Sequence, residues 1–498
     1  MKNLILILLF FIITVSMAWA ETTTGGVTFA DPLGYTKPQF YPITYWGAET
    51  SPEYTYWVDQ TGGGGSTCSS GSPCDDVLDL NGKDGTHGDG RTLVYIKGSG
   101  WINWYGATNA NIYGAAGSEV VFKPWDDDTD AVFTGQNLIN TSNGGTLRYI
   151  IFDGGPNMRF TFGPPTDSEF YPALNIKGHA SSDTLDHITF YRVRVRTGNS
   201  AGNLLTLQGR SSDIYIINCE FYDANPGDGI QHQVYPTGYT AEGSGSGRML
   251  NLKFLNNIFR DISGDGIEFN LRDTDATYEA DNVLIDGNAF HDIGSGTCSA
   301  GWGCRPAITQ GVQYGSPGWR DFVVSNNIMW NIGESCVRAH AGGNEVEYLN
   351  NTCYTWGIGD PETNQYNQYG MRGAGNGTPA GIITNNILYA TGTTANSNAK
   401  EAFPSTDGDI SYTGCESGET CGDNSQNNLS GATFQSLDED NANFLKLAVS
   451  TTPIDNGTDL SGTFTGSYFG DTRSGTFDIG ADEYESGEAD TLRRMIMN

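Results

Sequence analysis

The chain is short of positive charge. It has 26 Lys and Arg against 58 Asp and Glu, a formal net charge of -32. A surface so acidic repels polyphosphate and anionic headgroups, which argues against nucleic acid and anionic lipid as partners. Its plainer meaning is solubility; its sharper one is binding of a divalent cation. No apolar run beyond the first twenty residues is long enough to cross a bilayer, so no membrane span is expected in the mature chain. No CxxC occurs and no two close cysteine pairs lie near each other, which removes the usual zinc arrangements. Helical periodicity is also missing, and with it the all-helical and alternating α/β classes.

The start has its own grammar. Lys2 precedes an apolar run, Leu4 to Val15, and Ala18-Trp19-Ala20 gives a small-x-small site before Glu21. This reads as a signal peptide and predicts a secreted protein, extracellular or at the cell surface. Export permits disulfides. Six of the nine cysteines form three pairs of equal spacing, Cys68/Cys74, Cys298/Cys304 and Cys415/Cys421, each expected to staple one loop. Cys219, Cys336 and Cys353 are expected to be small core residues.

The rest of the chain is short runs of Ile, Val, Phe, Leu and Tyr punctuated by Gly (67 residues), Asn, Asp, Ser and Thr, the pattern of an all-β chain. One frame recurs: apolar residues at two alternate positions, Asn or Cys three further on, then another apolar residue. It fits Ile214-Ile216-Cys219-Phe221, Leu252-Phe254-Asn257-Phe259, Val283-Ile285-Asn288-Phe290, Phe322-Val324-Asn327-Met329 and Val346-Tyr348-Asn351-Cys353. Gly381-Ile383-Asn386-Leu388 is a weaker copy, and Ile188-Phe190-Val193-Val195 carries Val in the Asn place. Alternation points one face inward, and the Asn breaks it at a bend. Identical residues come into register turn after turn only in a parallel stack, where Asn257, Asn288, Asn327, Asn351 and Asn386 would form an internal amide ladder. Irregular spacing between copies means loop insertions.

The segments INCEFYDANPGDGI, LNNIFRDISGDGIEF, SNNIMWNIGESCVRAH and LNNTCYTWG resemble the repeats of right-handed parallel β-helix proteins of the pectate-lyase-like superfamily. YWVDQTGGGGS through RTLVYIKGSG resembles the first turns of that superfamily. Gly475-Thr476-Phe477-Asp478-Ile479-Gly480-Ala481-Asp482-Glu483-Tyr484 resembles the terminal motif of many exported bacterial members. The resemblance implies an all-β, right-handed parallel β-helix (solenoid) with loop insertions and a C-terminal capping segment. It leaves activity open among lyases, hydrolases, epimerases, adhesins and spikes. The expected organisation is a signal peptide (1–20), an N-terminal extension (21–55), the parallel β-helix (56–390), a C-terminal capping β segment (391–485) and a disordered tail (486–498).

After each Asn bend comes another strand, and its outward positions form a polar strip. One column reads Thr206, Gln231, Glu268, Thr309, Arg338, Arg372; beside it run Gln208, Gln233, Asn270 and His340, with Arg272 nearby. His232 falls inward in this register. Such a strip matches a long, repetitive, polar ligand, hence a polysaccharide partner. For elimination from a uronic acid, Arg338 or Arg372 would hold the carboxylate and His340 would move a proton, with Glu268 in the same set. Gln208, Gln231, Gln233, Asn270, Arg272 and Thr309 would bind sugar. For hydrolysis a carboxylate pair is required, with Asp228, Asp265 and Glu268 as candidates. Asp228-Gly229 and Asp265-Gly266 also read simply as turn formers. The pectate-lyase-like cluster of Asp ligands with an Arg-x-Pro-x-x-Arg segment is absent; Arg305-Pro306 is a fragment of it. A non-catalytic, glycan-binding surface protein is the other reading. Calcium is a possible ligand of the acidic turn carrying Asp126, Asp128 and Asp130, which also reads as a solvated loop.

Overall fold

The computed structural model describes the strand framework of residues 52–484; residues 1–51 and 390–432 apart from a few short strands, most of the long connecting loops, and residues 485–498 lie outside the described residues.

Each full turn contributes three strands to three parallel sheets. One turn runs through Arg248–Leu255, bends at Asn256-Asn257, continues through Ile258–Ile262, turns at 263–266 and passes Ile267–Leu271. The next turn lies directly upon it: Leu252 pairs with Val283, Phe259 with Phe290 and Ile267 with Ile308, all parallel. This is a right-handed parallel β-helix. Its first strand is Tyr54–Asp59, paired in parallel with 92–97.

Register places like upon like. Phe122, Phe152 and Phe190 stack with centroids 5.2 and 5.1 Å apart, and Phe221, Phe259 and Phe290 with 4.9 and 4.7 Å. All six are buried. Each such ring contributes roughly 1.5–3 kcal/mol by leaving water.

The amide ladder exists. Asn257 Nδ2 donates to Asn288 Oδ1 at 2.9 Å, Asn288 to Asn327 at 2.9 Å, Asn327 to Asn351 at 2.9 Å and Asn351 to Asn386 at 3.0 Å. Each acceptor oxygen also takes the backbone N–H of the preceding ladder residue, and Asn257 takes that of Cys219. The second amide proton goes to a carbonyl of an earlier strand, as from Asn327 to Ile285. The bend also depends on the residue before the ladder. Asn218, Asn256, Gly287, Asn326, Asn350 and Asn385 hold φ between 52° and 64°. Asn and Gly tolerate this left-handed region, which bulky side chains avoid.

Cys68–Cys74 is a disulfide as expected. The other two equally spaced pairs, Cys298 with Cys304 and Cys415 with Cys421, lie outside the described residues. Cys336 and Cys353, expected to be small core residues, are buried and form a disulfide with each other. They join the start of a third-sheet strand to the second sheet one turn later, because both side chains point into the same core. Cys219 is a buried free thiol, its pKa pushed up to about 12 by burial, and is no nucleophile.

At the far end, strands Glu401–Ala402 and Gln426–Asn427 pair in register with the last full turn. Residues 433–484 then fold back along the flank of the last turns. Phe434, Phe444, Leu445 and Leu447 join Trp330 and Ile387 in one apolar cluster. Arg473 locks this segment down. It is fully buried and donates to Gly466 O, Asp478 O, Glu483 Oε2, Asn326 Oδ1 and Gly480 O at 2.7–3.2 Å. The terminal motif supplies the other half: Asp478 accepts from the backbone of Asp455 and Tyr484, and Asp482 from Leu447. Gly480, at φ 97°, leaves room where a Cβ would sit 2.5 Å from Ile387 Cδ1.

Candidate functional site

The third sheet carries the strip. Thr206 pairs with Gln231, Gln231 with Glu268, Glu268 with Thr309, Thr309 with Arg338 and Arg338 with Arg372. Gln208, Gln233, Asn270 and Gly311 form the neighbouring row. His340 follows Arg338 by two residues and pairs with Ala374. The side chains of Gln208, Gln231, Gln233, Asn270, His340 and Arg372, and Arg272 as a whole, lie outside the described residues; their strand positions stand. His232 pairs with Leu207 and Phe269, in the inward row. In the next turn that row holds Gln310, buried, whose Oε1 accepts from Tyr348 Oη at 3.3 Å.

Glu268 and Arg338 are half-buried, but Thr309 is only 4% exposed. Thr309 is thus a poor sugar contact and instead belongs to what lies under the strip. There the structure keeps Asp265 in its turn and adds a burial that the turn reading did not contain. The 263–266 turn packs tightly on the following one: Gly266 N donates to Pro306 O, and a Cβ on Gly266 would meet Ala307 O at 2.5 Å. Asp265 is carried inward with it and is completely buried. Arg305 of the next turn lies 3.4 Å away, Nη1 to Oδ1. Burial pushes the Asp265 carboxyl up to about 7; the nearby Glu268 charge adds to the rise, and Arg305, Thr309 and Arg338 oppose it. Thr309 Oγ1, Ser335 Oγ and Arg338 Nε are buried with no hydrogen-bond partner among the described residues. Three successive turns therefore converge two carboxyls, two guanidiniums and unsatisfied donors on one spot. Asp228 lies outside the described residues. The sequence offered Asp265 as a hydrolytic carboxylate; its burial against the following turn could have been read only by pairing its turn with Arg305 and Arg338 one and two turns on.

The acidic turn offers calcium little. Asp130 is exposed and accepts from Arg159 Nη1 at 3.1 Å, Asp126 is exposed, and Asp128 lies outside the described residues. Among the described residues no three His, Cys, Asp or Glu side chains are grouped to hold a metal ion. Arg159 competes with a cation for the Asp130 carboxylate.

What the fold and strip define is a parallel β-helix with a charged, laterally stacked face. No protein-family model and no curated protein matches the chain. Among solved structures it is similar to the pectate lyase Pel9A (16% identity, 88% of this chain and 98% of that one, TM-score 0.47). A rhamnogalacturonan lyase (14%, 80% and 97%, 0.46) and an alginate lyase from a Paenibacillus strain (12%, 69% and 94%, 0.33) are similar to a lesser degree. The fold assignment rests on the chain's own register and ladder, and the chemistry on the residues above.

Proposed function

We propose that this chain is an exported protein that binds an acidic polysaccharide along its third sheet and cleaves it by elimination. The observation that carries the reading is the in-register column Glu268–Thr309–Arg338–Arg372, which sets two arginines on adjacent turns about 4.8 Å apart. A guanidinium on a uronate carboxylate, held by paired hydrogen bonds, withdraws charge and acidifies the adjacent C5–H. A base takes that proton, the C4–O bond breaks, and the departing oxygen is protonated, leaving a C4=C5 double bond. Arg338 and Arg372 are assigned to the carboxylate. His340, the titratable group two positions along the Arg338 strand, is assigned the proton. Complete burial of Asp265 weighs against hydrolysis, because it keeps the second member of a Glu268 pair from a glycosidic oxygen.

The test is incubation with polygalacturonate, alginate and rhamnogalacturonan, followed by ultraviolet absorbance of the unsaturated product. Absorbance growth that is lost in Arg338→Ala supports elimination. Binding without products leaves a glycan-binding protein; neither binding nor products removes the reading.

A further inference from the structure

We infer that Asp265 is a positioning residue that competes with the substrate carboxylate for the Arg338 guanidinium and so makes capture of an acidic sugar proton-linked, an inference that rests on the reading of this face as an acidic-glycan site. Three observations carry it. Asp265 is wholly buried beneath the strip, so it cannot itself touch a sugar. Among the described residues the charged groups facing it are Glu268 on its own turn, Arg305 on the next and Arg338 on the one after. Arg338 Nε and Thr309 Oγ1, both buried, have no hydrogen-bond partner among the described residues, so the guanidinium keeps an unspent donor within electrostatic reach of Asp265.

The electrostatics follow. Two carboxyls and two guanidiniums balance when both acids are ionised. A uronate arriving at Arg338 adds a third negative group to the same low-dielectric spot, and the least hydrated carboxyl is the one to take up a proton. That carboxyl is Asp265, and it already titrates near neutrality. Protonation removes its hold on Arg338 and leaves the guanidinium to the sugar. By linkage, binding draws protons in, and affinity falls as pH rises through the range in which Asp265 ionises.

The experiment is isothermal calorimetry of the full chain with oligogalacturonate and oligoguluronate, in buffers of different ionisation enthalpy, at about pH 6 and about pH 8, chosen to bracket the titration. Expected are net proton uptake on binding and several-fold weaker affinity at the higher pH. Asp265→Asn should bind with nearly the same affinity at both, and more tightly than the parent at the higher. The parent measurement needs no variant, so the inference stays testable if Asp265→Asn fails to fold. Parent binding without proton uptake overturns it. So does a pH profile that survives in Asp265→Asn, which would belong to another group, His340 first. If the parent binds neither oligosaccharide at any pH, the acidic-glycan reading itself has failed, and this inference with it.

Discussion

Arg473 and Asp265 are both charged and both wholly buried, yet they are treated in opposite ways. Arg473 makes five hydrogen bonds, pairs with Glu483 at 3.1 Å and lies near the rings of Phe464 and Phe477. Its site is saturated, and its partners are mostly backbone carbonyls that do not move. Asp265 sits 3.4 Å from Arg305, among side chains whose polar atoms are left over. A buried charge that only holds a structure together is satisfied on all sides. Asp265 lies under the strip that the register builds, and under the acidic-glycan reading its neighbours' unused donors are what a ligand would engage.

The largest effect should come from breaking the saturated site. Arg473→Met strands the Glu483 carboxylate and the carbonyls around it. It should lower stability by about 3–5 kcal/mol, read by denaturant unfolding, and release the 433–484 flank to proteolysis first. The ladder comes next. Asn327→Ala removes the acceptor for Asn288 and the donor to Ile285 O, at a cost of about 3 kcal/mol. Cys336→Ser with Cys353→Ser reopens the cross-turn staple and should cost about 2–3 kcal/mol, visible as a lower Tm that matches the reduced parent. A smaller effect, of opposite sign, belongs to Asp265→Asn. The parent carboxyl is raised above its unfolded value, so the folded state binds more protons and stability falls as pH climbs from about 4 to about 7. The Asn variant should lack the Asp265 share of that fall, so its Tm should gain on the parent's across this range. A Tm difference that does not change with pH would mean Asp265 is ionised throughout, and the contrast with Arg473 would collapse. Smallest in stability is Arg372→Ala, expected within about 0.5 kcal/mol of the parent while glycan binding is lost; Arg338→Ala should lose binding too, at a larger stability cost, because it removes a guanidinium that acts on the buried Asp265 carboxyl. His340→Ala should keep binding and lose turnover.

Much of this was legible in the residues. Copies such as Val283-Ile285-Asn288-Phe290 carry both the inward alternation and the bend, and each needs only its own few neighbours to be read. The column through Glu268, Arg338 and Arg372 follows from the same frame. The left-handed residue before each ladder Asn was missed, although Asn326-Asn327 and Asn350-Asn351 display it, because the frame counted side chains and not backbone angles. The Cys336–Cys353 bridge was hidden by the equal spacing of the other pairs; it is set by which side chains face one core across a turn. The burial of Asp265 was hidden for a related reason. Asp-Gly is a turn signal on its own, and burial of this one depends on how closely the turn carrying Arg305 packs over it.

The ladder has a direction. Each amide donates to the next and accepts from the last, so every rung in the run from Asn257 to Asn386 presents the same two faces to its neighbours. A rung can therefore be added or deleted within the run without redesigning either side of the cut. Each addition lengthens the third-sheet strip by one step of about 4.8 Å. The count of rungs is then a ruler: under the polysaccharide reading, it sets how many units of a linear ligand the face would span, independently of the side chains that would choose that ligand.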